Sequence, residues 1–176
     1  MLKGVGSSRA RRPRLARSAS FIVLLVCALA VSAAAEGASK AAEKFFDAYR
    51  AQDVDAMVAL FTEDATFEYV PFGEAGSGNV REDGAPVWRT LIQAFPDLRN
   101  EVNQIWVDES GEIAFVDVHI GGTQAEDAFG IENRGEDFWL RHLFVLETDE
   151  EGMITRITSF WDNATWYSQL GKTSLD

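Results

Sequence analysis

GMITRITSFWDNATWYSQLG, residues 152–171, reads as a turn, a strand and a short helix in direct succession. Ile154, Arg156, Thr158 and Phe160 take one face of a period-two pattern, and Thr155, Ile157, Ser159 and Trp161 take the other. The β-branched and aromatic content suits a half-buried pleated surface. At Asp162 the pattern changes. Asp162-Asn163 carries N-cap chemistry, Ala164 to Leu170 continue as a short helix, and Gly171 is a stop. A strand that runs straight into a carboxylate and a covering helix can deliver that carboxylate to the end of a sheet.

The segments before it supply the rest of an α+β order. Ala38 to Gln52 places Ala41, Phe45, Ala48 and Tyr49 at helical spacing, and Asp53-Val54-Asp55 caps a second helix with Met57, Leu60 and Phe61 turned inward. Glu63-Asp64 reads as a turn into a strand, 65–70, with Phe67 and Tyr69 on one side and Glu68 on the other. The glycine-rich stretch 71–86 reads as a loop. It lacks the Lys-Ser/Thr ending of a phosphate-binding loop, so no nucleotide is assigned to it. A third helix, 87–95, stops at Pro96. Four strands follow, over 98–108, 113–121, 136–147 and 154–161, with tight turns at Ser110-Gly111 and Glu151-Gly152. Helices followed by a meander predict a strongly curved antiparallel sheet wrapped around the N-terminal helices.

Charge and composition restrict the partners. Of the sixteen basic residues six precede residue 36, whereas all 28 acidic residues lie at or after it, which leaves 36–176 at −18. So negative a surface argues against nucleic acid and against stable association with an anionic membrane. The basic residues through Arg17, the apolar run Phe21 to Val31 and the small residues Ser32 to Ala35 together predict a signal peptide over 1–35. A secreted or periplasmic domain over 36–176 would follow it. Cys27, the only cysteine, falls in that segment, so the domain has no disulfide or Cys-based metal site. With two histidines on different strands, no metal is expected.

The ionisable candidates each carry two readings. Asp162 is either a general acid-base whose pKa an apolar pocket would raise, or a helix N-cap whose pKa backbone donors would lower. His142 shares a face with Phe138, Leu140, Phe144 and Leu146, and is either a satisfied core group or a pocket imidazole. Asp117 and His119, two apart on one strand, could pair, or could face solvent or a partner subunit. Tyr49, Phe67, Tyr69, Trp88, Phe95 and Trp161 are the aromatic side chains expected to line a cavity for a small apolar molecule, with core packing as the alternative for each.

Four stretches together carry a family resemblance: Lys44 to Tyr49 with Leu60 to Ala65, Ala94-Phe-Pro-Asp-Leu-Arg99, Gly122-Thr-Gln124, and Trp161-Asp162 with Gln169-Leu-Gly171. In these the chain resembles the SnoaL-like polyketide cyclase and ester cyclase group of the NTF2-like superfamily, over nearly all of 40–171. The resemblance implies a cone-shaped α+β domain, often a homodimer through its sheet, with an apolar pocket. It also implies proton transfer next to a carbonyl by a carboxylate helped by a histidine, without metal or cofactor. Two positions depart from the pattern. Gln124 stands where relatives often have the histidine of Gly-Thr-His, and Ser159 where many have an acid. Two functions follow as expectations: a cofactor-free cyclase or isomerase using Asp162 and His142, or a ligand-binding module without chemistry.

Overall fold

A computed structural model describes residues 37–172; the expected signal segment, 1–35, lies outside them. Residues 37–50 form the helix α1. Ala38, Ala41, Ala42, Phe45, Phe46 and Tyr49 are buried at helical spacing, so one stripe of α1 is core. Two residues past the helix stands Gln52, whose φ is +59 and whose side-chain amide donates to the carbonyls of Pro96 and Leu98 at 2.9 and 3.1 Å. Asp53 then caps α2, Val54–Val58, by accepting from the Ala56 backbone N–H at 2.9 Å.

The strands are β1 (Phe61–Tyr69), β2 (Ser77–Asn79), β3 (Arg99–Val107), β4 (Ile113–Thr123), β5 (Asp137–Thr148) and β6 (Ile154–Trp161). They form one open, curved sheet in the order β2-β1-β6-β5-β4-β3. α3, Ala85–Ala94, precedes β3, and α4, Asn163–Gln169, follows β6. The α+β order stands as read from the sequence, and β6 has the expected bounds. One pairing differs from the antiparallel expectation: β1 runs parallel to β6. The two are joined through the whole of the intervening chain, which leaves their relative direction free of any hairpin constraint.

Three local expectations are corrected. The second helix stops at Val58, so Leu60 lies beyond it and Phe61 opens β1. Glu63-Asp64 is no turn but lies inside β1, where the step from Phe61 to Thr66 faces only the step from Ile154 to Arg156. The surplus residues bulge outward, and Glu63 and Asp64 are exposed. The glycine-rich 71–86 stretch is ordered: a 3-10 segment Val70–Gly76, then β2, then a π-turn Val80–Gly84 leading into α3. Asn79 nucleates that turn, accepting at its side chain from the N–H groups of Arg81 and Glu82. Gly76 is needed there because a Cβ would sit 2.7 Å from the Tyr69 carbonyl oxygen.

The strand register divides the sheet into two faces. Val116, Phe144, Ser159 and Tyr69 form one cross-strand row, Val118, His142 and Trp161 the next, and Ala114, Leu146, Ile157 and Phe67 the one on the other side. This concave face holds the core with α1 and α3. The convex face carries Trp106, Leu143 and Phe160, all exposed. Phe45 is the hub of the packing, its ring 5.2 to 6.5 Å from those of Phe46, Tyr49, Phe61, Trp88 and Phe144.

Candidate functional site

A cavity lies between the concave face and the elements that cover it. Its volume, as space open to the centre of a water molecule, is about 70 Å³. A single buried water needs roughly 10–15 Å³ on that measure, so the space suits a compact ligand. β5 and β6 supply the floor with His142, Phe144, Ser159 and Trp161; α1 and β1 supply Tyr49 and Tyr69; α3 supplies Trp88 and Leu91. The cover is aromatic. Trp166 of α4 meets Phe72, Phe129 and Phe138 at 6.3, 6.0 and 6.1 Å. Phe129 reaches it from a two-residue turn, Phe129-Gly130, in which both φ angles are positive.

Four of the six aromatic candidates border this space: Tyr49, Tyr69, Trp88 and Trp161. Phe67 and Phe95 do not. Phe67 lies one cross-strand row further into the core than Tyr69, opposite Ile157 and against the backbone of Gly84. Phe95 packs its ring 5.0 Å from Phe138 at the end of α3. Phe72 and Phe129 carry no sequence signal as cover residues, because each reaches the cavity from a connecting segment without a period of its own.

His142 is the imidazole of the cavity wall. Its Nδ1 donates to the Leu140 carbonyl at 3.0 Å, since a carbonyl can only accept. In the neutral ring Nε2 is then the bare acceptor. The ring stacks on Phe144 and tilts against Trp161, with centroids 6.0 and 5.5 Å away. Burial among these rings pushes its pKa down to about 4, against the opposing pull of the Leu140 carbonyl; His119 adds a smaller push downward. The ring is therefore neutral at pH 7.

This shift has a stability consequence. The folded protein holds His142 near 4 against 6.5 for the unperturbed group, so as pH falls the unfolded chain takes up the proton first. The stability contributed by the neutral ring is complete above pH 6.5 and drains away towards pH 4. Between pH 7 and pH 5 urea unfolding should lose about 2 kcal/mol, and His142→Asn should abolish that loss. An equal loss in the variant would place the slope on other groups.

Asp162 does not join His142. It is exposed and caps α4, accepting from the Thr165 N–H at 3.0 Å and the Thr165 hydroxyl at 2.6 Å. Those two bonds, the hydroxyl's first, hold its carboxyl below the usual carboxylate range, the reverse of what an acid-base role in an apolar pocket needs. The cap reading applies.

Asp117 and His119 lie on the convex face and do not pair with each other. Asp117 takes a bidentate grip from Arg141, at 2.7 and 2.8 Å, which holds its carboxyl low. His119 meets the Asn103 side chain at 2.9 Å and stacks on Trp139. Gln124 is buried outside the cavity and donates to the carbonyls of Glu126 and Ile131, pinning the loop that carries Phe129. At the cavity wall burial keeps the Tyr49 and Tyr69 hydroxyls protonated.

The profile of one family, described as SnoaL-like domain, matches residues 42–157. Solved structures of the same fold include IdmH, a candidate polyketide cyclase from Streptomyces antibioticus. It is 24% identical, with 76% of this chain and 97% of that one covered at a TM-score of 0.64. A candidate SnoaL-like polyketide cyclase from Jannaschia sp. CCS1 aligns at 14% identity over 78% and 93% of the chains, TM-score 0.68. SalBIII, an epoxide hydrolase/cyclase-like enzyme with a role in pyran ring formation in the polyether salinomycin, aligns at 21% identity over 72% and 92%, TM-score 0.59. At these identities the likeness is one of fold. No curated protein is a significant sequence match.

Proposed function

The chain belongs to the SnoaL-like domain family, and from that premise we propose that it is a cofactor-free cyclase or isomerase moving a proton next to a carbonyl in a small apolar substrate. One observation carries the reading: His142 borders an aromatic cavity with Nδ1 committed to Leu140 and Nε2 left as a base. In the step, the C–H bond alpha to the carbonyl breaks, its proton goes to Nε2, and the electron pair moves onto the carbonyl oxygen as an enolate. Returning the proton to the same or another carbon completes an isomerisation; attack of the enolate carbon on a second carbonyl closes a ring, the π pair of that carbonyl becoming an alkoxide that takes the proton back from the imidazolium.

An imidazole whose conjugate acid has a pKa of about 4 is a weak base. The step creates its own remedy. Imidazolium and enolate form together in a low-dielectric space, and an adjacent negative charge raises the imidazole pKa. The protonated Tyr49 and Tyr69 hydroxyls border the same space as hydrogen-bond donors for the enolate oxygen.

The test uses 2-indanone, a compact ketone with acidic alpha hydrogens, and follows its deuterium exchange in D₂O by NMR. Enzyme-dependent exchange that saturates with ketone supports the reading. Saturable binding without exchange would instead establish a ligand-binding module, the reading that Asp162 and Gln124, both turned to structural tasks, favour.

A homodimer through the convex face is proposed as well, from the exposed Trp106, Leu143 and Phe160, which stand on β3, β5 and β6 around the Asp117–Arg141 pair. Leu143→Glu should convert a dimer to a monomer in sedimentation velocity. A wild-type protein that sediments as a monomer at the same concentration would refute the assembly.

A further inference from the structure

Ser159 stands in the middle of β6, 1% exposed, and its hydroxyl has no hydrogen-bond partner. Thr62 and Gln124 also carry such an unpaired buried atom among the described residues, but Ser159 alone of the three borders the cavity. Its neighbours offer it nothing. Tyr69 and Phe144 flank it in its own cross-strand row, and both present rings there. An unpaired hydroxyl in apolar surroundings costs free energy that an alanine at the same place would not. A core position that needed only a small side chain would be better filled by Ala.

The register relates this hydroxyl to the imidazole. Ser159 pairs with Phe144, and His142 pairs with Trp161, so Ser159 and His142 are diagonal neighbours on one face of an antiparallel pair. Diagonal neighbours stand about 7–8 Å apart at the backbone, with side chains closer. One small molecule on the floor can therefore touch both. The wall also restricts the ligand's charge: among the described residues no Asp, Glu, Lys or Arg borders the space. A carboxylate or an ammonium group would be desolvated there without a counter-ion, which is costly. The Ser159 hydroxyl is a donor in search of an acceptor oxygen, and Tyr49 and Tyr69 border the same space.

We propose that Ser159 is the ligand-anchoring residue of the cavity, donating its hydroxyl to the carbonyl oxygen of an uncharged, otherwise apolar ketone or ester whose alpha carbon is turned towards His142. The anchor deepens the proton-transfer reading and rests on it for the role of His142, but the carbonyl preference can be measured without any turnover.

The experiment compares 2-indanone with indane, which has the same shape without the oxygen, by quenching of tryptophan fluorescence in the full-length protein and in Ser159→Ala. Wild type should bind the ketone about tenfold tighter than the hydrocarbon, the worth of one hydrogen bond in such a site. Ser159→Ala should bring that ratio below about threefold with indane affinity unchanged. Its thermal midpoint should stay level or rise, because the unpaired hydroxyl is gone. The anchor is overturned by a ratio unchanged in Ser159→Ala, by a fall in the thermal midpoint, or by wild type binding neither compound. A ketone preference that depends on Ser159, in a protein that catalyses no deuterium exchange, would uphold the anchor and sink the proton-transfer reading alone.

Discussion

His142→Asn should slow deuterium exchange in 2-indanone by about 10²–10⁴-fold, the usual contribution of a positioned general base, while ketone affinity changes by no more than about threefold. Asparagine is the informative replacement. Its side-chain nitrogen reaches roughly where Nδ1 sits and can keep donating to the Leu140 carbonyl, so the local strand is undisturbed. What disappears is the acceptor at Nε2. Asp162→Asn provides the contrast. Asparagine is as good an N-cap as aspartate, so α4 should hold and the exchange rate should stay within about twofold. Should Asp162→Asn abolish exchange and His142→Asn spare it, the assignment of the base would be reversed.

Phe45→Ala should destabilise the domain by about 3–5 kcal/mol, the range for emptying a large aromatic site in a core. Phe45 is fully buried and touches five other rings, three of which, those of Tyr49, Trp88 and Phe144, also border the cavity. The lost volume would thus open towards the ligand space. Urea unfolding should show a markedly lower midpoint at an unchanged slope, and tryptophan emission should shift to the red as Trp88 loses its neighbour. A loss under about 1 kcal/mol would mean that the surrounding rings collapse into the gap, and that the packing around α1 is looser than the ring distances indicate.

Much of the architecture was written in short-range patterns. Alternation along β5 put His142 on one face with Phe138, Leu140, Phe144 and Leu146, and the register shows those side chains on the concave face. The change of period at Asp162 marked where β6 gives way to α4. The candidate site was legible in part. Tyr49, Tyr69, Trp88 and Trp161 were found because large aromatics on inward faces tend to meet, whereas Phe67 and Phe95 satisfy the same rule and lie deeper. Depth within a sheet depends on which row a residue joins, and rows are set by partners far away in the chain.

From its residues alone this chain declared an α+β domain, the bounds of its five long strands and of α1, α3 and α4 to within a few positions, and the two alternating faces of β4 and β5, because side-chain period is a property of consecutive residues. Tertiary structure had to decide the parallel pairing of β1 with β6, the exile of the Asp162 carboxylate to a helix cap, and the placing of Ser159 beside His142. Each of those depends on contacts between segments distant in sequence, or on the few degrees of backbone that send one side chain into solvent and its neighbour into the core. Local periodicity carries no record of either.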